Sequence, residues 1–174
     1  MADEPLDRLR EGLGQGRPEA FAALFDQHAR RMLALARAIS GSHTDAEDAL
    51  QQTFLDLFRS RNALARAMDL EAYVFQSVRR CAWRLSSRRK ESGLPAEAWE
   101  QAAPEDAPEY ETSAELERAL AGLAGEQREV LSLKFDAGMS FAQIGALLGI
   151  PPNTAASRYR YALQHLSRAL GGSR

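Results

Sequence analysis

The 174-residue chain is predicted to be all-α: two small helical domains joined by a flexible acidic linker. Every strongly periodic segment repeats its apolar residues at three- and four-residue steps, and no alternating strand pattern competes. Between the two periodic regions, Ser92 to Thr112 carries Gly93, Pro95, Pro104 and Pro108 among acids, a mixture that cannot bury enough apolar surface to repay ordering. Charge divides the chain in the same way, with two basic blocks flanking an acidic connector. The expected boundaries are 16–90, 91–112 and 113–172.

In the first domain, one helix is expected from Pro18, with Phe21, Leu24, Phe25, His28, Met32, Leu35, Ala36 and Ile39 as its apolar stripe and Gly41 as its stop. A second opens at Thr44, three residues before Glu47 in capping-box spacing, and buries Ala46, Leu50, Phe54, Leu57 and Phe58. A third runs from Leu70 to Arg89 with Leu70, Val74, Val78, Cys81 and Leu85 on one face. Upstream, Gly12, Gly14 and Gly16 do not complete a dinucleotide fingerprint, because Arg17 takes the place of the third glycine and no strand precedes.

In the second domain, Leu116, Leu120 and Leu123 mark one amphipathic helix, and Val130, Leu131 and Leu133 to Phe135 mark another before a turn at Gly138. Ser140 and Gln143 form a capping box for a short helix that buries Phe141, Ile144, Leu147 and Leu148 and ends at Gly149. Ile150, Pro151 and Pro152 turn into a longer helix ending before Gly171, with Tyr159, Leu163, Leu166 and Leu170 as its core stripe. That is helix-turn-helix geometry.

Composition excludes several classes of function. Apolar residues make up 45% and charged residues 26%, ordinary for a soluble globular protein. No apolar stretch approaches the roughly 20 residues that span a bilayer, and the acidic start at Asp3, Glu4 and Asp7 is unlike an export signal, so a cytoplasmic location without membrane insertion is expected. The lone cysteine, Cys81, forms no internal disulfide, and His28, His43 and His165 are too scattered for a zinc site. No nucleophile, base and orienting group stand out by spacing. No catalytic residue, metal or cofactor is therefore assigned, and the chain is not expected to be an enzyme.

The net charge of -2 conceals opposite local fields. From Arg79 to Lys90 there are six basic residues and no acid, whereas Glu91 to Thr112 contains seven acids and no base. After Asp136 only basic charges occur, at Arg158, Arg160, Arg168 and Arg174. On the third helix, Trp83 lies opposite Cys81 inside the cationic stretch, a combination that holds phosphates and stacks an unpaired base. On the last helix, Thr154, Ser157, Arg158 and Tyr161 point away from the core stripe, where a recognition helix meets base edges. Asn153 lies at that helix's amino end, where N–H groups and the helix dipole favour a phosphate.

Two segments resemble the extracytoplasmic-function group of bacterial sigma factors, which keep only sigma domains two and four. DAEDALQQTF, Asp45 to Phe54, resembles the family's acidic helix that docks on the polymerase clamp. QREVLSLKFDAGMSFAQIGALLGIPPNTAASRYRYALQHL, Gln127 to Leu166, resembles domain four almost end to end. Together with the intervening helix, the likeness covers residues 18 to 90 and 113 to 170.

The resemblance implies a factor that binds core RNA polymerase, through the beta-prime clamp and the beta flap, and directs promoter recognition and melting. Asp45, Glu47, Asp48 and Gln51 would contact the clamp helices. Arg79, Arg80, Trp83, Arg84 and Arg88 would lie against the minus-ten element. Asn153, Thr154, Ser157, Arg158 and Tyr161 would face the minus-thirty-five element. It also leaves room for an anti-sigma partner. The chain departs from the family pattern at Arg80 and Arg84, where an asparagine and an aspartate are common, at Tyr73 in place of a tryptophan, and at Ala155 and Ala156 in place of valine and lysine. The alternative is a stand-alone helix-turn-helix regulator that binds an operator as a dimer.

Overall fold

A computed structural model describes residues 4–91 and 114–171; the expected linker lies outside them. Helix is the only regular structure among the described residues. The first group comprises α1 (Glu4–Gln15), α2 (Pro18–Ser40), α3 (His43–Arg59), α4 (Arg61–Ala65) and α5 (Leu70–Glu91). The second comprises α6 (Ala114–Ala121), α7 (Gly125–Phe135), α8 (Phe141–Leu148) and α9 (Pro152–Gly171).

Helices α2, α3 and α5 pack pairwise around a core that includes Leu24, Met32, Leu35, Leu57, Val74, Phe75 and Val78. Ala46 and Ala49, both fully buried, let α3 approach its neighbours closely. The α3 cap is Ser42, whose Oγ accepts from the Asp45 N–H at 3.3 Å, so the helix starts before the expected Thr44. The expected α3 stripe also changes: Phe58 is 47% exposed, and Thr53 is buried instead. Thr53 can be buried because its hydroxyl donates to the Ala49 carbonyl at 2.6 Å, inside its own helix. Phe25, expected inside, is also 47% exposed. Phe21 packs on Phe58 and Phe25 on Phe54, with ring centroids 5.3 and 5.1 Å apart, so the aromatic side chains shield one another at the surface.

Sequence periodicity missed α1 and α4. The α1 glycines form part of a helix whose fully buried Leu13 and half-buried Leu6 and Leu9 pack inward; burial here outweighs glycine's low helix propensity. Arg10 fastens α1 to the end of α4 by donating to the carbonyls of Ala65, Ala67 and Met68 at 3.1, 2.5 and 3.3 Å. Those contacts satisfy carbonyls that a helix terminus leaves without partners.

In the second group, α6, α7 and α8 all pack against α9. Ser140 caps α8 as expected, accepting from the Gln143 N–H at 3.2 Å while the Gln143 side chain accepts from the Ser140 N–H at 2.9 Å. Gly149 ends α8 at φ 68°, a left-handed conformation that favours glycine. On α9 the buried residues are Ala155 and Ala162, whereas Leu163 and Leu170, expected in the core, are 43% and 37% exposed. The close helix approach selects the small side chains, and the leucines turn outward.

The two groups pack against each other through α2 with α7 and α5 with α8. One hydrophobic cluster runs through both, taking Leu35, Ala36 and Ile39 from the first and Val130, Leu133 and Met139 from the second. Arg128 of α7 crosses the seam, donating from Nε to the Ala38 carbonyl at 3.0 Å and from its guanidinium to Ala121 and Leu123 at 3.1 and 3.0 Å.

Two outcomes test this packing. A Cβ on Gly145 would lie 2.7 Å from the Ile150 carbonyl oxygen and 3.2 Å from the Pro152 nitrogen; Gly145→Ala is expected to cost about 1 to 3 kcal/mol in chemical denaturation, because backbone must shift to admit it. His28 is buried edge-on to Phe75, and its Nδ1 has no hydrogen-bond partner. Burial, partly offset by Glu71, lowers its pKa from 6.5. The folded state therefore resists protonation, so stability is complete above pH 6.5 and falls as pH drops through the lower folded-state value. Urea melts should show this loss between neutral and mildly acid pH, and His28→Leu should flatten it.

Candidate nucleic-acid and partner interfaces

Helix α5 carries the cationic run, and its 100° step distributes the arginines to different neighbours. Arg80, Trp83, Arg84 and Arg88 recur at three- and four-residue spacing, and all four are exposed, Trp83 to 38%. They form one stripe in which an indole ring lies among guanidinium groups. Arg84 is steadied by Asp56 of α3, with Nη2 3.3 Å from Oδ2. Burial would raise the Asp56 pKa, but hydrogen bonds from Gln52, Arg84 and Cys81 and the Arg84 charge hold it below the ordinary value. Asp56 therefore stays ionised and orients Arg84.

Arg79 and Arg89 point elsewhere. Arg79 donates from Nε to Oε1 of Glu129 in α7 at 2.5 Å, with the two side chains 25% and 4% exposed. Arg89 donates to Asp45 Oδ2 at 2.7 Å and tethers the end of α5 to the start of α3. Arg79, which the resemblance sets against promoter DNA, turns into the seam in this structure, because a buried carboxylate needs a cationic partner.

The same pair separates Asp45 from the other acidic candidates on α3. Asp45 is 19% exposed and engaged with Arg89, whereas Glu47, Asp48 and Gln51 share an exposed face. Leu55, 53% exposed, extends that face by one turn. An acidic surface with an apolar end suits a basic partner.

On α9, Asn153 lies in the first turn rather than before it, because the helix begins at Pro152. Tyr161 is 57% exposed, and Thr154 and Ser157 are half-buried. Arg158, 26% exposed, reaches Glu126 Oε2 at 2.6 Å. Exposed Arg160, which sequence reasoning did not select, donates to Ser157 Oγ at 3.2 Å and adds a cation to this face. Its three-residue spacing from Ser157 was the signal that could have found it. The candidates thus divide among three helices: an acidic face on α3, a cationic aromatic stripe on α5 and a polar cationic face on α9.

Comparisons with known proteins identify the family. The family model for sigma-70 region 2 matches residues 24–92 and that for sigma-70 region 4 matches residues 113–166. The chain is 31% identical over 153 residues to the ECF RNA polymerase sigma factor SigM of Mycobacterium tuberculosis, covering 87% of this chain and 78% of that one. It is 29% identical over 170 residues to the RNA polymerase sigma factor CarQ of Myxococcus xanthus, covering 95% of each. Among solved structures, the sigma factor RpoE of Bartonella quintana, in complex with the anti-sigma factor NepR, shares the fold with a TM-score of 0.70 at 22% identity, covering 88% of this chain and 98% of that one. With two sigma-70 regions in order and a relative of this identity matched over most of its length, the chain belongs to the ECF RNA polymerase sigma factors.

Proposed function

We propose that this sigma factor acts in transcription initiation through three separate contacts. Glu47, Asp48 and Gln51 on α3 dock on the clamp helices of core RNA polymerase, and Asp45 positions that helix through Arg89. The α5 stripe of Arg80, Trp83, Arg84 and Arg88, joined by Arg79, takes the minus-ten element, with guanidiniums on phosphates and the indole against an exposed base. The α9 face of Asn153, Thr154, Ser157, Arg158 and Tyr161 reads the minus-thirty-five element in the major groove. Polymerase performs the chemistry; this chain selects where it starts.

The reading is best supported by the solvent-facing α5 stripe, in which three arginines surround an exposed tryptophan. The domain division is part of the same proposal: 16–90 holds polymerase and melts DNA, 113–172 grips the upstream element and the beta flap, and the acidic segment 91–112 connects them. No helix among the described residues is long and apolar enough to cross a membrane, and promoter binding places the protein in the cytoplasm. An anti-sigma protein would regulate it by covering these faces.

Replacing Glu47 and Asp48 together by lysine is expected to abolish co-purification with core polymerase while leaving the thermal melt unchanged, since both side chains are exposed. Retention of normal capture would remove α3 from the docking surface. Trp83→Ala should weaken holoenzyme binding to a pre-melted promoter by about 1 to 3 kcal/mol, the worth of one stacked base, and affect duplex binding far less. Fluorescence anisotropy with a bubble template checks this, and equal losses on both templates would contradict stacking.

A further inference from the structure

We propose that Arg59 at the end of α3 and Arg84 of α5, spaced by the Asp56 carboxylate, form a phosphate clamp that carries the nucleic-acid surface from α5 onto α3. The inference rests on the reading above that the α5 stripe lies against promoter DNA, and its ligand is a backbone phosphate of that DNA. The two oxygens of Asp56 serve different helices. Oδ1 accepts from Arg59 Nη1 at 3.3 Å and from Gln52 Nε2 at 2.8 Å, both within α3. Oδ2 accepts from Arg84 Nη2 at 3.3 Å, with Cys81 Sγ 3.6 Å away, and Arg84 Nη2 also lies 3.1 Å from that sulfur. An isolated surface ion pair holds little. A carboxylate with donors from two helices fixes one guanidinium on each of its sides.

The second arginine changes the charge of the site. Asp56 by itself would cancel the Arg84 charge and leave that part of the stripe neutral, whereas two guanidiniums against one carboxylate keep a net positive charge. Both guanidiniums stay accessible, the Arg59 side chain being 70% exposed and that of Arg84 49%. Each carries five N–H donors, so the bond to Asp56 leaves others to meet a phosphate oxygen. The clamp continues the stripe, since Arg84 belongs to both. Helix geometry sets it apart from the polymerase-docking face: at 100° per residue, Arg59 stands between Leu55 and Asp56 on the circumference of α3, turned from Glu47 and Gln51 toward α5. A cation at that place also does not suit the basic partner that Glu47 and Asp48 favour.

The test measures holoenzyme binding to a fluorescein-labelled bubble promoter across a decade of salt, with Arg59→Gln, Arg84→Gln and Asp56→Asn proteins. Loss of one phosphate contact flattens the slope of log affinity against log salt by about 0.7 to 0.9, or about fivefold to eightfold in affinity over that decade. Arg59→Gln should show this loss while core polymerase is still captured and the thermal melt is unchanged, because the side chain is exposed. Arg84→Gln should flatten the slope as well. Asp56→Asn removes a negative charge, which would tighten binding if Asp56 only screened the arginines; as the spacer of the clamp, its loss should weaken binding. Exposed Arg59 keeps the test decisive should Asp56→Asn fold poorly. A slope unchanged by Arg59→Gln but flattened by Arg84→Gln would overturn the clamp and leave the stripe standing, and tighter binding by folded Asp56→Asn would overturn it too. Unchanged slopes in both arginine variants would overturn it through the reading beneath it, by showing that the stripe does not meet DNA.

Discussion

The allotment of α5's circumference is the constraint on which the remaining architecture depends. This helix packs against α2, α3, α4 and α8, and its buried side, from Leu70 through Val74, Phe75 and Val78 to Ala82, fixes its rotation. Once that rotation is fixed, each arginine has a determined destination. Arg79 meets Glu129, Arg89 meets Asp45, and Arg80, Arg84 and Arg88 stand in solvent beside Trp83. A run that reads as one basic block is therefore divided between part-buried ties to other helices and one exposed cationic stripe. Each tie neutralises an acid from another helix, so the same helix assembles the protein and presents its charge.

Small side chains set the geometry of the carboxy-terminal group. Ala155 and Ala162 are fully buried on α9, and Gly145 on α8 admits the backbone of the turn at Ile150 and Pro152. Close packing of this kind holds α9 against α7 and α8 while Asn153 and Tyr161 stay exposed. Larger residues on the inner line would push the helix outward and tilt the polar face relative to the core. The exposed leucines, Leu163 and Leu170, are the outcome of that selection and add apolar surface near the α9 end.

Much of this was legible in the sequence, where strong periodicity coincided with end signals. Helices α2, α3, α5, α7, α8 and α9 form where apolar periodicity predicts helix, and the Ser140 and Gln143 box and the Gly149 stop fall where the residues indicate. What escaped had physical reasons. The α1 glycines read as a loop because their helix depends on tertiary burial of Leu13, and α4 is five residues long, too short to display a period. On α3 and α9 side-chain size does not predict burial: Phe58 and Leu163 are outside, Thr53 and Ala162 inside. The pairing of Arg79 with Glu129 joins residues far apart in sequence, and no local pattern announces such a contact. Sequence did mark both helices that bear the cationic faces, because charge asymmetry survives as a local signal.

The proposed function requires three faces to act together on a promoter only when the chain is seated on polymerase. Footprinting a promoter fragment with the chain alone and with core polymerase added tests it most directly. Little protection is expected from the chain alone and, with polymerase, an asymmetric footprint covering two separated stretches upstream of the start. A symmetric, palindromic footprint from the chain by itself, unchanged by polymerase, would contradict it.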